Sequence, residues 1–119
     1  MSEQTMAQTF FDTYARALVA RDAKAVAQLY AVPALIEFPE QALAVSSSEQ
    51  TEEFFTAAFG QYAESTQVEA AVDVVAETGH SVWADVTWTY DRSPAERFMY
   101  QLVRAGGQWQ IAVLTPLDS

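Results

Sequence analysis

A chain of 119 residues, half of them apolar and 13% aromatic, is long enough for one domain with one core and too apolar to stay disordered. The absence of cysteine excludes disulfides, thiolate metal sites and a cysteine nucleophile, and a single histidine, His80, excludes a histidine-rich metal site within one chain. A formal net charge of −10, from 16 acidic against 6 basic residues, repels phosphates; nucleic acid and anionic membranes are poor partners, and neutral or cationic small molecules are compatible.

Over residues 5–20, Met6, Phe10, Tyr14 and Leu18, flanked by Ala7, Phe11, Ala15 and Val19, fall at helical spacing and predict an amphipathic helix. Arg21-Asp22 breaks the stripe. Asp22 is placed to cap a second, shorter helix that buries Val26, Leu29 and Tyr30. Pro33 lacks an N–H and disfavours helix at the residue before it, so this helix is expected to end near Ala31. Residues 34–38 and 42–46 predict two short strands around Pro39-Glu40-Gln41. Ser46 and Glu49 have the spacing of a capping box, and Glu49, Glu52 and Glu53 suit the positive end of a helix dipole. Phe55, Ala58, Phe59 and Tyr62 then form the apolar stripe of a third helix.

After Glu64 the apolar period drops to two. Val68, Ala70, Val72, Val74 and Ala76 alternate with mostly polar residues, Thr78-Gly79-His80 turns the chain, and Val82, Ala84, Val86, Trp88 and Tyr90 alternate again. Arg92-Ser93-Pro94-Ala95 predicts a second turn, residues 97–104 a long strand, Gly106-Gly107 a tight hairpin and residues 108–115 the last strand. Four strands in series joined by short turns predict an antiparallel meander within a single domain, 1–119. No apolar run approaches the roughly 20 residues that span a bilayer. The start Met1-Ser2-Glu3-Gln4 lacks the basic and apolar regions of a signal peptide, so a cytoplasmic location with no membrane partner is expected.

Three stretches add to this element order: residues 14–30, with Arg21-Asp22 followed by Ala25-Val26-Ala27-Gln28-Leu29-Tyr30-Ala31; Ala34-Leu35-Ile36-Glu37-Phe38-Pro39; and Leu102-Val103-Arg104-Ala105-Gly106-Gly107-Gln108-Trp109-Gln110-Ile111. Together they resemble the nuclear-transport-factor-2-like superfamily, which includes ketosteroid isomerases, SnoaL-like polyketide-cyclase-like proteins and scytalone dehydratases. The resemblance implies an α+β fold in the order α-α-β-β-α-β-β-β-β. In it a cone-shaped, curved antiparallel sheet packs on three helices around one hydrophobic pocket. It also implies a homodimer formed through the outer face of the sheet.

Carried over residue by residue, the resemblance places Tyr14 where ketosteroid isomerases keep an oxyanion-donating tyrosine. It places Phe38, which accepts no proton, where they keep their aspartate base. Glu37 is next door, but neighbouring strand residues face opposite sides of a sheet. The second acidic donor falls near Gln101, an amide that donates more weakly, with Tyr100 facing the other way. The histidine chemistry of scytalone dehydratases would need His80, which sits in a predicted turn beside Ser81. An Asp-Arg-Asp water-activating cluster of the limonene-epoxide-hydrolase kind would need Asp73, Asp85 and Arg97. Pairing Ala76 with Val82 sets Asp73 opposite Asp85, and the accompanying Glu69, Thr87 and Thr89 mark that face as outward.

The candidate catalytic residues are therefore Tyr14, Gln101 and Asp85, and the candidate ligand-binding residues are Tyr14, Phe38, Trp88, Met99 and Gln101. No metal and no cofactor is expected. Trp83, if outward, contributes to a dimer surface. Three functional readings stay open. The first is a binding protein for a small apolar or aromatic ligand, and the second an isomerase-, dehydratase- or hydrolase-type enzyme that adds a carboxylate to Tyr14 and Gln101. The third is a dimeric interaction module whose cavity is filled by Phe38, Met99 and the tryptophans.

Overall fold

In the computed structural model, residues 3–59, 67–90 and 93–117 are described. Helix α1 (Glu3–Val19) turns Ala7, Phe11, Tyr14 and Ala15 into the core, as the stripe predicts. Arg21 adopts φ 54°, in the left-handed region, and redirects the chain. The Asp22 carboxylate accepts the Ala25 N–H at 3.1 Å and so caps α2 (Ala23–Gln28). This helix ends before Leu29, earlier than Pro33 alone predicts. The sheet claims the backbone there: Ile111 N donates to Leu29 O at 2.8 Å, and Tyr30 already pairs with Ile111.

Strand β1 (Tyr30–Phe38) thus contains Pro33. Its pairing with the last strand is irregular between Tyr30 and Leu35, where proline has no N–H to offer. A hairpin joins β1 to β2 (Gln41–Val45), with Phe38 opposite Gln41. Helix α3 (Ser48–Ala58) has its capping box one residue later than predicted, on Ser47 and Gln50. Gln50 Oε1 accepts the Ser47 N–H at 3.2 Å, and this start turns Thr51 and Phe55 inward. Tyr62, the predicted end of that stripe, lies outside the described residues.

The meander comprises β3 (Val68–Glu77), β4 (Ser81–Tyr90), β5 (Ser93–Ala105) and β6 (Gln108–Pro116). The predicted turn at 92–95 is largely strand, with Ser93 pairing with Tyr90. Asp73 does face Asp85, but an irregularity between Val74 and Ala76 gives Ala76 the partner Trp83 instead of Val82. The six strands form one curved, unclosed sheet in the order β2-β1-β6-β5-β4-β3. It is mixed rather than wholly antiparallel, because β1 and β6 run parallel. Apolar alternation sets which face a residue takes and carries nothing about the direction of a distant partner strand.

Phe11, Tyr14, Val26, Tyr30, Ile36, Val82, Val86, Trp88, Tyr100, Leu102, Ile111 and Leu114 fill the space between helices and sheet. Each large apolar side chain buried there contributes roughly 1.5–3 kcal/mol. A helix cap contributes about 1 kcal/mol, so the aromatic core dominates the fold. No described helix is long and apolar enough to cross a membrane.

Candidate functional site

The concave face of the sheet and the helices enclose a cavity of about 530 Å³. Helix α1 contributes Tyr14 and Leu18, α3 contributes Phe54 and Phe55, and β1 ends in it with Phe38. The sheet supplies Trp88 and Tyr90 from β4, Glu96, Phe98 and Tyr100 from β5 and Leu114 from β6. The volume lies within the few hundred to 1,000 Å³ typical of small-molecule sites, about the size for a two- or three-ring ligand. The rings brace one another. Phe38 stacks on Phe54 at 6.2 Å and meets Phe98 edge-on at 6.3 Å, while Tyr14 sits 5.2 Å from Trp88 and 6.2 Å from Phe55.

At the base of these rings lie two hydrogen-bonded pairs of polar side chains. Trp88 Nε1 donates to the Tyr100 hydroxyl at 2.8 Å, and the Tyr14 and Tyr30 hydroxyls lie 2.7 Å apart, with the Tyr14 and Tyr100 rings 6.3 Å from each other. Burial raises all three phenols well above their ordinary range, and the neighbouring phenols add to the effect. They are therefore neutral donors across the physiological range. The indole N–H is committed to Tyr100, whose hydroxyl accepts there and keeps its own proton to donate. Tyr14 and Tyr30 hold two hydroxyl protons for the one contact between them. Tyr14 and Tyr100 line the cavity, where a hydroxyl can donate to an acceptor on a ligand.

Among the sequence candidates, Tyr14, Phe38 and Trp88 converge on this cavity. The β4–β5 register sets the others elsewhere. Ala84 pairs with Tyr100 and Trp83 with Gln101, so Tyr100 faces inward and Gln101 outward, the reverse of the expectation. Gln101 Nε2 donates to Ser81 Oγ at 2.9 Å. Met99 shares that outer face, opposite Asp85. Asp85 itself is paired with Arg97, whose Nε donates to both carboxylate oxygens at 2.9 and 3.1 Å. That contact holds the Asp85 carboxyl below the usual range. Glu37 and Asp73 are exposed, and His80 sits in the β3–β4 turn with Nδ1 3.4 Å from the Thr78 hydroxyl.

Three site roles were not recognised from the sequence: the Tyr100 hydroxyl as a polar group of the cavity, Tyr30 as a partner of Tyr14, and Glu96 as a cavity carboxylate. Parity carries the signal for two of them. Phe98, Tyr100 and Leu102 are the apolar members of β5's alternation, and Glu96 has the same parity. The ungapped likeness at Gln101 points to the opposite face. Glu96 stands directly across from Trp88 and lines the cavity. Arg21 also borders it and donates to the Phe59 carbonyl at 3.4 Å. Among the described residues, no group of three or more His, Cys, Asp or Glu side chains converges as metal ligands would.

The sequence profile of a family described as NTF2-like protein (DUF6841) matches residues 2–119. No curated protein matches the chain. Among solved structures, a domain of unknown function with a cystatin-like fold from Nostoc punctiforme superimposes with a TM-score of 0.76 at 16% identity, over 100% of this chain and 79% of its own. An NTF-2 like protein of unknown function from Shewanella oneidensis gives 0.72 at 13% identity, over 92% and 94%. A putative calcium/calmodulin dependent protein kinase II association domain from Xanthomonas campestris gives 0.73 at 19% identity, over 100% and 90%. At these identities the likeness concerns the fold.

Proposed function

We propose, for a chain that belongs to the NTF2-like protein family DUF6841, that it binds a small, flat, largely apolar molecule through a hydrogen-bond acceptor on that molecule. The observation that carries this reading is an aromatic cavity of about 530 Å³ with the hydroxyls of Tyr14 and Tyr100 at its base. Rings supply the contact area, and the Tyr14 and Tyr100 hydroxyls orient a carbonyl, ether or phenol oxygen. Phe38, at the cavity end of β1, offers no proton acceptor, so binding without turnover is the primary reading.

A thermal-shift panel of flat ketones, lactones and aromatic acids tests it. A ligand held at 100 times its Kd stabilises by about 2.7 kcal/mol, which such a panel detects readily. Tyr14→Phe is expected to weaken a ketone that binds by about 0.5–1.5 kcal/mol while leaving the fold intact. If no flat compound shifts the melting temperature, the binding reading fails.

Glu96 favours a second reading. It is a carboxylate on the cavity wall, the group that an enzyme acting through Tyr14 needs. If a substrate is found, Glu96→Gln should abolish turnover; undiminished turnover removes Glu96 from the chemistry.

The outer face of the sheet carries Trp83, Met99, Val103 and Val113, with Trp83 36% exposed. We propose a homodimer through this face. Trp83→Lys should then yield a monomer by sedimentation. A wild-type monomer at high micromolar concentration contradicts the dimer.

A further inference from the structure

Resting on the aromatic binding cavity of that reading, and not on its acceptor contact, we propose that the cavity selects ligands bearing a protonated amine, with Glu96 as counter-ion and the rings of Trp88, Tyr90 and Phe98 as a cage for the cation. Glu96 and Trp88 are cross-strand partners, which sets their Cβ atoms about 5 Å apart on one face of the sheet. Phe98 follows Glu96 by two residues and Tyr90 follows Trp88 by two, so both share that face, and all four side chains line the cavity. A cation within about 6 Å of a ring face is attracted by its quadrupole, and the attraction grows as water is removed. Carboxylate and rings at these spacings form a site for an ammonium group on an aromatic body.

The groups facing this point from the other elements are consistent with that choice. The phenols of Tyr14 and Tyr100 stay neutral. Beyond burial and Tyr14, the Glu96 carboxylate adds to the rise at Tyr100, so its field reaches into the cavity. Among the described residues, Arg21 is the cation on the cavity border. It is exposed, lies between α1 and α2 rather than on the sheet, and donates to the Phe59 carbonyl. A carboxylate has about four lone-pair sites, so an ammonium adds to whatever Glu96 already accepts. Glu96 is half-buried, which limits the desolvation cost of the pair. The net charge of −10 raises the local concentration of cations.

Three probes with one ring system separate the contributions: 2-naphthylmethylamine, 2-naphthylmethanol and 2-naphthoic acid, titrated calorimetrically into the full chain at neutral pH. The amine is expected to bind at one per chain, about tenfold tighter than the alcohol, with the acid weakest. In Glu96→Gln the amine should fall to the affinity of the alcohol, whose own affinity changes by no more than about twofold. Arg21→Gln should keep or increase the preference for the amine. Equal affinities for amine and alcohol in the wild-type protein overturn the inference and leave the binding reading standing. A preference that survives Glu96→Gln overturns it too, because the acidic surface would then be its source. Silence from all three probes overturns both. The wild-type comparison needs no variant, so a poorly folding Glu96→Gln protein would not shelter the proposal.

Discussion

The hydroxyls of Tyr14 and Tyr30, 16 residues apart in the chain, meet at 2.7 Å inside the core. With Tyr100 they make three buried phenols, and burial raises each well above the ordinary phenol value of 10.0. In the unfolded chain they ionise near that value; in the folded chain they do not. The unfolded state therefore binds fewer protons above pH 10, and stability that is full below it declines as pH rises. Each phenol contributes a slope of roughly 1.4 kcal/mol per pH unit. Tyr30→Phe should cut the alkaline slope by about a third, read as the urea midpoint against pH. An unchanged slope would mean that Tyr30 titrates in the folded protein.

Gln4 and Gln8 seal the open edge of the sheet. Gln8 Nε2 donates to Ala70 O at 2.9 Å and its Oε1 accepts from Val72 N at 3.3 Å. Gln4 repeats the pattern one step along, on Val72 O at 2.7 Å and Val74 N at 2.9 Å. Spaced four apart on α1, the two amides imitate a peptide strand and cover β3, which would otherwise template pairing with another chain. Gln8 Nε2 also donates to Asp12 Oδ1 at 2.9 Å. Gln8→Glu would set an oxygen against both acceptors, so it should cost about 1–3 kcal/mol, more than Gln8→Ala. Light scattering should detect self-association of the glutamate variant on mild warming. Equal stability of the two variants would show that the amide does not seal this edge.

The sequence made the helices and the meander legible because their signals are local: the stripe through Phe10, Phe11 and Tyr14, the cap at Asp22, the alternation from Val82 to Tyr90. The parallel pairing of β1 with β6 was not legible, since Tyr30 and Ile111 are neighbours only through tertiary contact. Tyr14, Phe38 and Trp88 were placed together through family likeness and apolar patterning. Gln101 went to the wrong face because a slip of one residue along a strand inverts every side chain. The apolar parity of Phe98, Tyr100 and Leu102 was the better guide, and it would have put Glu96 inside as well.

On the outer face Asp85 stands opposite Asp73 and is neutralised by Arg97. Arg97 lowers the Asp85 pKa, so the contribution of Asp85 is present above the unfolded value of 3.8 and is lost as pH falls through the lower folded value. The stability difference between wild type and Asp85→Asn should thus be constant near neutrality and shrink in acid. Arg97→Gln should destabilise the wild-type background more than an Asp73→Asn background, because the repulsion it exposes is gone in the latter. Additive effects in that double-mutant cycle would show that Asp73 and Asp85 do not interact.

Thr51 presents the opposite case, a polar group placed where nothing answers it. It is fully buried on α3, and its Oγ1 meets no hydrogen-bond partner among the described residues. A buried hydroxyl without a partner has lost its water and gained nothing in return. Valine has nearly the same shape without the oxygen. Thr51→Val should therefore stabilise the protein by about 1 kcal/mol in urea unfolding, with an unchanged m-value. Thr51→Ala removes the methyl as well as the hydroxyl, and the void it leaves should make it less stable than the valine variant. If valine instead costs 1 kcal/mol or more, the hydroxyl has a partner, and a water bound beneath α3 is the first place to look.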